Sequence, residues 1–487
     1  MAEQGLKEKT VKGVGWSAID AFGGQGIGFI VQLVLARLLG PEAYGIIGIC
    51  GIFIAIFGTL VDNGFSTSLI RKKSVSNDEY NTMFITNMVF SFFFYLLLFL
   101  CAPYISVFFN KNDLTPILRV MGLLLILQGF SIVQNTIVTK RIDFKTRSIA
   151  SLISAFLGGA AAIICAYLGM GVWALVVYQL SKQVVFNICL WFYNKWLPSM
   201  RFNKESFKYM WGFGWKMTLS SLLETIWNQL YHATVGKFYS PTTLGQYTRA
   251  QDFANIFSAS IPGILTRVSF PVIADVQDDV PRMMSVYRRI IKTTMFVTAV
   301  SLLSMAAIAE PMIYVLIGEQ WHEAATYLPF ICISFTLGPM SALNLNMLKV
   351  QGRSDIFLYL EIVKKIIGVI PIFLGIFINI YWMLIGSIII SVICFFLNSY
   401  YTGKRLHYTS WMQIKDVAPS YGVGLAIALS VCFLKYLPIP MFAILLLQLI
   451  IGAGVFFVLC EIIKMEEYYS IKEVAVRFLT KINRKNR

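Results

Sequence analysis

Pro41-Glu42-Ala43-Tyr44-Gly45 and Pro241-Thr242-Thr243-Leu244-Gly245 are two copies of one turn, Pro-x-x-x-Gly, set 200 residues apart (241−41). Each is preceded by an apolar stretch that opens on Gly-Trp, Gly15-Trp16 in the first copy and Gly214-Trp215 in the second, 199 residues apart (215−16). A third echo pairs the polar segment Lys140-Arg141-Ile142-Asp143-Phe144 with Gly352-Arg353-Ser354-Asp355-Ile356, its arginines 212 apart (353−141). The chain therefore reads as a duplication. Two copies of one membrane half are how a secondary transporter builds a central site between bundles that rock against each other.

Composition places this duplication in a bilayer. Hydrophobic residues make up 57% and charged residues only 14%, against about 25% charged in soluble domains, and the mean hydropathy is +0.69. Apolar runs near the 20 residues needed to cross hydrocarbon fall at 14–37, 43–66, 82–107, 114–138, 146–169, 171–195, 210–236, 246–275, 287–309, 323–349, 356–377, 379–402, 415–436 and 438–463. The expected fold is an all-α polytopic membrane protein of about 14 transmembrane helices, two duplicated six-helix bundles plus an extra helix pair. Its parts are a basic tail (1–13), a first lobe (14–195), a linker (196–209), a second lobe (210–402), the added pair (403–463) and a basic amphipathic tail (464–487). In that last tail Ile471, Val474, Phe478 and Ile482 recur at helical spacing, which suits either a helix lying on an anionic leaflet or a frayed tail that only sets orientation. The closing hairpin of each lobe is uncharged and tight, Gly169-Met170-Gly171 and Asn379-Ile380-Tyr381.

The net charge of +16 does not indicate nucleic acid, because lysine and arginine are sorted by loop. Alternate loops carry clusters such as Arg71-Lys72-Lys73, Lys140-Arg141 and Lys404-Arg405, whereas the others hold little beyond Lys111, Lys237 and Lys435. By the positive-inside rule both termini and every basic loop are expected in the cytoplasm. No short apolar core with a small-residue cleavage site marks a removable signal peptide. All eight cysteines lie inside the proposed spans, without metal-ligand spacing, and read as small buried hydrophobes.

Polar side chains within spans are the functional pointers, since an ionisable group at mid-membrane costs about 2.5 kcal/mol or more unless it meets water or a partner. In the first span Asp20, Gly24, Gly28 and Gln32 step by four with Gln25 adjacent; in its duplicate Lys216, Ser220, Glu224, Asn228 and His232 step the same way. Nine residues beyond each tryptophan stand Gln25 and Glu224. The eighth span adds Tyr247, Arg249, Gln251, Asp252 and Asn255, with Arg267 near its inner end. Substrate binding is expected from Arg249, Gln25, Gln32, Asn228, Gln251 and Asn255, with Arg249 as a fork-shaped clamp for pyrophosphate; the other reading of Arg249 is an ion pair with Asp252 on one helix face. Glu224 and Asp20 are expected to couple transport to H⁺ or Na⁺, or else to bond neighbouring helices. Gly158-Gly159 and the glycines around Gly28 permit close helix approach, and packing alone accounts for them. No phosphate-binding Gly-Lys-Ser/Thr loop, zinc motif or sizeable soluble domain occurs, so the chain does not read as an enzyme and no cofactor is expected beyond a coupling ion.

The run Leu35-Ala36-Arg37-Leu38-Leu39-Gly40-Pro41-Glu42-Ala43-Tyr44-Gly45, with Leu60-Val61-Asp62-Asn63-Gly64-Phe65 and Ile70-Arg71-Lys72 after it, resembles the bacterial polysaccharide flippases of Wzx type. That family belongs to the multidrug/oligosaccharidyl-lipid/polysaccharide flippase superfamily. The resemblance implies two six-helix lobes in a V, alternately open to either side, in the bacterial inner membrane. The implied cargo is an undecaprenyl-pyrophosphate-linked oligosaccharide bound for a surface polysaccharide, carried by a monomer beside a polysaccharide polymerase and glycosyltransferases. The alternatives are a multidrug or cation antiporter and a lipid II flippase; the first span, with Asp20 and no arginine before Arg37, departs from the latter.

Overall fold

The structure, a computed structural model, describes residues 25–258, 279–350 and 353–473. Asp20, Arg267, Gly352 and the tail from Val474 onward lie outside these residues. All regular structure among the described residues is helical, and the helices gather into two compact units that divide between Thr248 and Arg249.

The first unit opens with α1 (Gln25–Asp62), which carries the first two expected spans in one run folded at Gly40. Gly40 takes φ 71° and ψ 172°, a backbone that a side chain resists, and Pro41 then restarts the helix where a missing N–H costs nothing. The Tyr44 hydroxyl fastens the fold, donating to the Gln32 carbonyl at 3.2 Å and to its Oε1 at 3.0 Å. Asn63 and Gly64, both at positive φ, turn the chain into α2 (Phe65–Arg71). Next comes α3 (Asn77–Phe108), started by a reciprocal cap in which Ser76 and Glu79 exchange hydrogen bonds. The fourth span is broken at Gly122 into α4 (Leu114–Met121) and α5 (Leu123–Lys140). A hairpin then joins α6 (Phe144–Tyr167) to α7 (Val172–Asn194) through Gly169 and Gly171, both at positive φ as the tight turn requires. The long α8 (Lys204–Phe238) follows, and α9 (Pro241–Ser258) leads out of the unit. Its core joins Phe65, Met83, Phe84, Val133, Ile137 and Met210.

The second unit contains α10 (Val280–Ala307), α11 (Ala309–Ile317), α12 (His322–Thr336), α13 (Gly338–Val350), α14 (Ser354–Ile367), α15 (Ile370–Phe377), α16 (Ile380–Leu406), α17 (Ser410–Cys432) and α18 (Met441–Ile463). Tyr287, Ile291, Met295, Met340, Phe395 and Tyr408 form its core.

Hydrogen bonds repeat along with the sequence. In the first unit Asn187 of α7 donates to the Leu127 carbonyl of α5 at 2.7 Å; in the second Asn398 of α16 donates to the Ser341 carbonyl of α13 at 3.4 Å. The two asparagines are 211 apart (398−187), within a residue of the arginine offset. Side-chain amides that bind a neighbouring helix suit an interior where lipid offers no alternative partner. The polar echo at Asp143 and Asp355 is likewise 212 apart (355−143), but its chemistry has diverged. Asp143 caps α6 by accepting from the Thr146 N–H, whereas Asp355 accepts two bonds from Arg353, which hold its carboxyl down at about 2.

The outside of the helices is oily. Phe92, Leu100, Ile450 and Ile462 are each half exposed or more, an arrangement that water penalises and hydrocarbon does not. Among the described residues ten stretches are long and apolar enough to cross a membrane, α1 counting once although it holds two spans. α8 has the length but is too polar to join them, interrupted by Lys216, Glu224, Asn228 and His232. The three lysines that stand in the sparsely charged loops are each tied down: Lys111 to Glu42 at 3.1 Å, Lys435 to Glu310 at 3.1 Å, and Lys237 to the Phe108 carbonyl.

Candidate functional site

The two copies of the Pro-x-x-x-Gly turn meet face to face within the first unit. A Cβ on Gly45 would lie 1.6 Å from the Pro241 carbonyl oxygen, and one on Gly245 would lie 1.9 Å from that of Pro41. Neither distance tolerates any side chain, so both glycines are fixed by this reciprocal contact. From it α1 and α8 run side by side. Gly236 faces Ile49, the hydroxyls of Thr59 and Thr225 stand 3.0 Å apart, and at the far end a Cβ on Gly64 would sit 2.6 Å from the Gly214 carbonyl oxygen. Glycine at both ends and hydroxyls between let the two backbones approach along their length.

This seam decides which way the polar stripe of α8 points. Residues four apart advance 40° beyond a full turn, so a line that steps by four winds round the helix. Thr225 faces α1 and Gly214 the turn that follows it; Lys216, Ser220, Glu224 and Asn228 remain exposed, and His232 has turned onto the packed side, its ring 5.6 Å from that of Tyr247. Glu224 thus stands beside the Thr59–Thr225 contact at mid-helix, near the point where Gln128 of α5 closes on Gly58.

The other residues singled out in the sequence are scattered. Gln32 is engaged with Tyr44. Arg249 is buried and pairs with the half-exposed Asp252 at 3.3 Å, which is the ion-pair arrangement the three-residue spacing allowed. Gln251 and Asn255 are half-buried on the same helix, and Ser258 donates to Asn255 at 3.4 Å. The Gln25 backbone begins α1. The glycine pair pack as expected: a Cβ on Gly158 would lie 2.9 Å from the Lys182 backbone nitrogen, and one on Gly159 2.4 Å from Val31.

That contact exposes a residue the sequence reading passed over. Lys182 lies half-way along α7, half-buried, with Nζ 5.7 Å from the centre of the Tyr178 ring, and the Tyr178 hydroxyl in turn abuts Gly28 of α1. No carboxylate lies within ion-pair distance of it among the described residues. A second overlooked group is Glu361, paired with Lys364 at 2.5 Å inside α14. Both would have emerged from a plain scan for charges inside spans, Lys182 from the run Leu180–Phe186.

A family model described as polysaccharide biosynthesis protein matches residues 34–326. The chain belongs to this polysaccharide biosynthesis family. Among relatives, the succinoglycan biosynthesis transport protein ExoT of Rhizobium meliloti is 23% identical over 74% of this chain and 73% of its own. The lipopolysaccharide biosynthesis protein WzxC of Escherichia coli is 22% identical over 76% of each, and the teichuronic acid biosynthesis protein TuaB of Bacillus subtilis 23% over 62% and 64%. The fold is that of the lipid II flippase MurJ in an inward closed conformation, with a TM-score of 0.71 at 14% identity over 92% of this chain and 98% of that one. A multidrug resistance transporter of the MATE family, in its inward-facing conformation, superposes with a TM-score of 0.58 at 15% identity over 80% of this chain and 99% of that one. This family member therefore shares its helical architecture with transporters that move both lipids and drugs.

Proposed function

We propose that this polysaccharide biosynthesis protein is a flippase that carries an undecaprenyl-pyrophosphate-linked oligosaccharide from the inner to the outer leaflet of a bacterial cytoplasmic membrane by alternating access, its termini and basic loops in the cytoplasm. One observation carries the reading: relatives named for succinoglycan, lipopolysaccharide and teichuronic acid all align with this chain over most of its length. Those polymers differ in their sugars, so the constant part of the cargo is the lipid carrier and its pyrophosphate.

Lys182 takes the role first expected of Arg249. A lysine at mid-membrane costs roughly 2.5–3.5 kcal/mol, and the Tyr178 ring returns only about 0.5–1 kcal/mol. The difference is met when a phosphate arrives. Arg249 already has Asp252 beside it and has less charge to offer. Glu224, exposed at the seam between α1 and α8, is the group whose protonation or sodium binding drives the cycle. Gln32 and Asn228 contribute polar contacts to sugar or phosphate. The test is made in the cell of origin: on depletion of the protein, lipid-linked glycan accumulates on the cytoplasmic side and surface polymer disappears. Surface polymer that persists at its normal level after complete depletion contradicts the proposal.

A further inference from the structure

The second unit holds a basic cavity of its own. About 800 Å³ in volume, it is lined by the first half of α10 (Arg288, Arg289, Lys292) and by the chain leaving α18 (Lys464, Glu466, Glu467). A smaller recess of about 360 Å³ continues it against Lys415 and Asp416 of α17. Two of the carboxylates, Asp416 and Glu467, are buried, whereas Glu466 is exposed at the edge. Asp416, 8% exposed, accepts two bonds of 2.5 Å from Arg288; Glu467, also 8% exposed, stands 3.4 Å from Lys292, and the outlying Glu466 3.7 Å. These pairs aim Arg288 and Lys292 without using all their donors, since Arg288 remains 46% exposed. Arg289 and Lys464, both exposed, have no recorded carboxylate partner among the described residues. The larger cavity is thus lined by four cations and two carboxylates.

Immediately before Lys464, α18 turns apolar side chains outward, Val458 57% and Ile462 71% exposed. A positive recess that opens onto a lipid-facing helix fits an amphiphile with an anionic head better than a soluble anion. We infer that this recess holds the phosphodiester headgroup of a resident anionic phospholipid, its acyl chains lying along α18. Basic pockets at helix ends are a general means of holding such headgroups. The lipid clamps α10, α17 and α18 together at the face of the basic loops. This site does not depend on the protein being a flippase, because its test involves no transport.

The full-length protein in detergent is titrated with dioleoyl phosphatidylglycerol, with dioleoyl phosphatidylcholine and, separately, with inorganic phosphate, and binding is read by native mass spectrometry and by the melting temperature. Phosphatidylglycerol is expected to bind and raise the melting temperature, phosphatidylcholine and millimolar phosphate to do neither. Arg289→Gln with Lys464→Gln removes the two cations that support no recorded ion pair, so the variant keeps its fold. It is expected to bind phosphatidylglycerol about twenty-fivefold more weakly, at about fivefold per basic residue. Lys204→Gln with Lys208→Gln, exposed at the start of α8, is expected to bind as the parent does. Equal binding of the two lipids, equal stabilisation by phosphate, or undiminished binding by Arg289→Gln with Lys464→Gln would each overturn the inference.

Discussion

Gly45→Ala tests the contact between the two turn copies. The added methyl carbon would sit 1.6 Å from the Pro241 carbonyl oxygen, where carbon and oxygen normally approach to about 3.3 Å. The backbones of α1 and α9 must therefore part by about 1.5 Å or more, and neither is a flexible side chain that could swing aside. Overpacking of this kind costs about 1–3 kcal/mol, which shifts the balance between joined and parted turns by about five- to 150-fold, since 1.4 kcal/mol is tenfold. Cys50, wholly buried five residues further along the same helix, reports the opening. Peptide-resolved labelling with a maleimide is expected to modify Cys50 at least about fivefold faster in Gly45→Ala than in the parent. Gly51→Ala is the control, because a Cβ there meets nothing within 4 Å; it should leave labelling unchanged and add about 0.5–1 kcal/mol of helix stability. If Gly45→Ala labels at the parental rate and melts at the parental temperature, the reciprocal contact is not a populated feature of the protein.

Other substitutions separate the charged groups. Lys182→Ala should slow transport of lipid-linked glycan about tenfold to 150-fold, the value of a charge-assisted hydrogen bond of about 1.5–3 kcal/mol, with Lys182→Arg recovering part of it; a parental rate in Lys182→Ala removes the residue from substrate binding. Glu224→Gln should cut flipping at unchanged membrane abundance and abolish any dependence on a proton or sodium gradient, and an intact gradient response would discard that role. For Arg249 and Asp252 the structure predicts coupling: the double replacement by alanine should cost no more in melting temperature than Arg249→Ala alone, whereas additive losses would show that the two act separately.

Much of the fold was legible because backbone chemistry marks it. The Pro-x-x-x-Gly turns and Gly169-Met170-Gly171 hairpin depend on proline and on glycine at positive φ, constraints that survive when the surrounding apolar residues drift. The oily spans were legible for the same reason, since any lipid-compatible side chain fills them. Breaks within spans were not. Gly122 and Gly338 mark breaks between helical segments in the middle of apolar runs, and glycines such as Gly51 lie in unbroken helix with nothing to distinguish them. The apolar run puts the start of the ninth span at 287, but Asp279 caps α10 and Pro281 opens it, so the helix begins seven residues earlier with a charged first turn. At the site, periodicity located the stripe of α8 and the way it winds but not the direction it faces, which only the seam with α1 fixes. Attention to the first, seventh and eighth spans left Lys182 unweighed, although a lysine amid Val and Phe is itself a signal.

Alternating access that loads and unloads an ion at Glu224, on the seam of α1 and α8, requires these two helices to part as glycan moves. The hydroxyls of Thr59 and Thr225 are 3.0 Å apart, so cysteines at these two positions can be joined by oxidation. In proteoliposomes the oxidised Thr59→Cys, Thr225→Cys protein is expected to stop flipping a labelled undecaprenyl-pyrophosphate-linked oligosaccharide, and reductant to restore it. Flipping that continues at the parental rate with the cross-link fully formed would contradict the account.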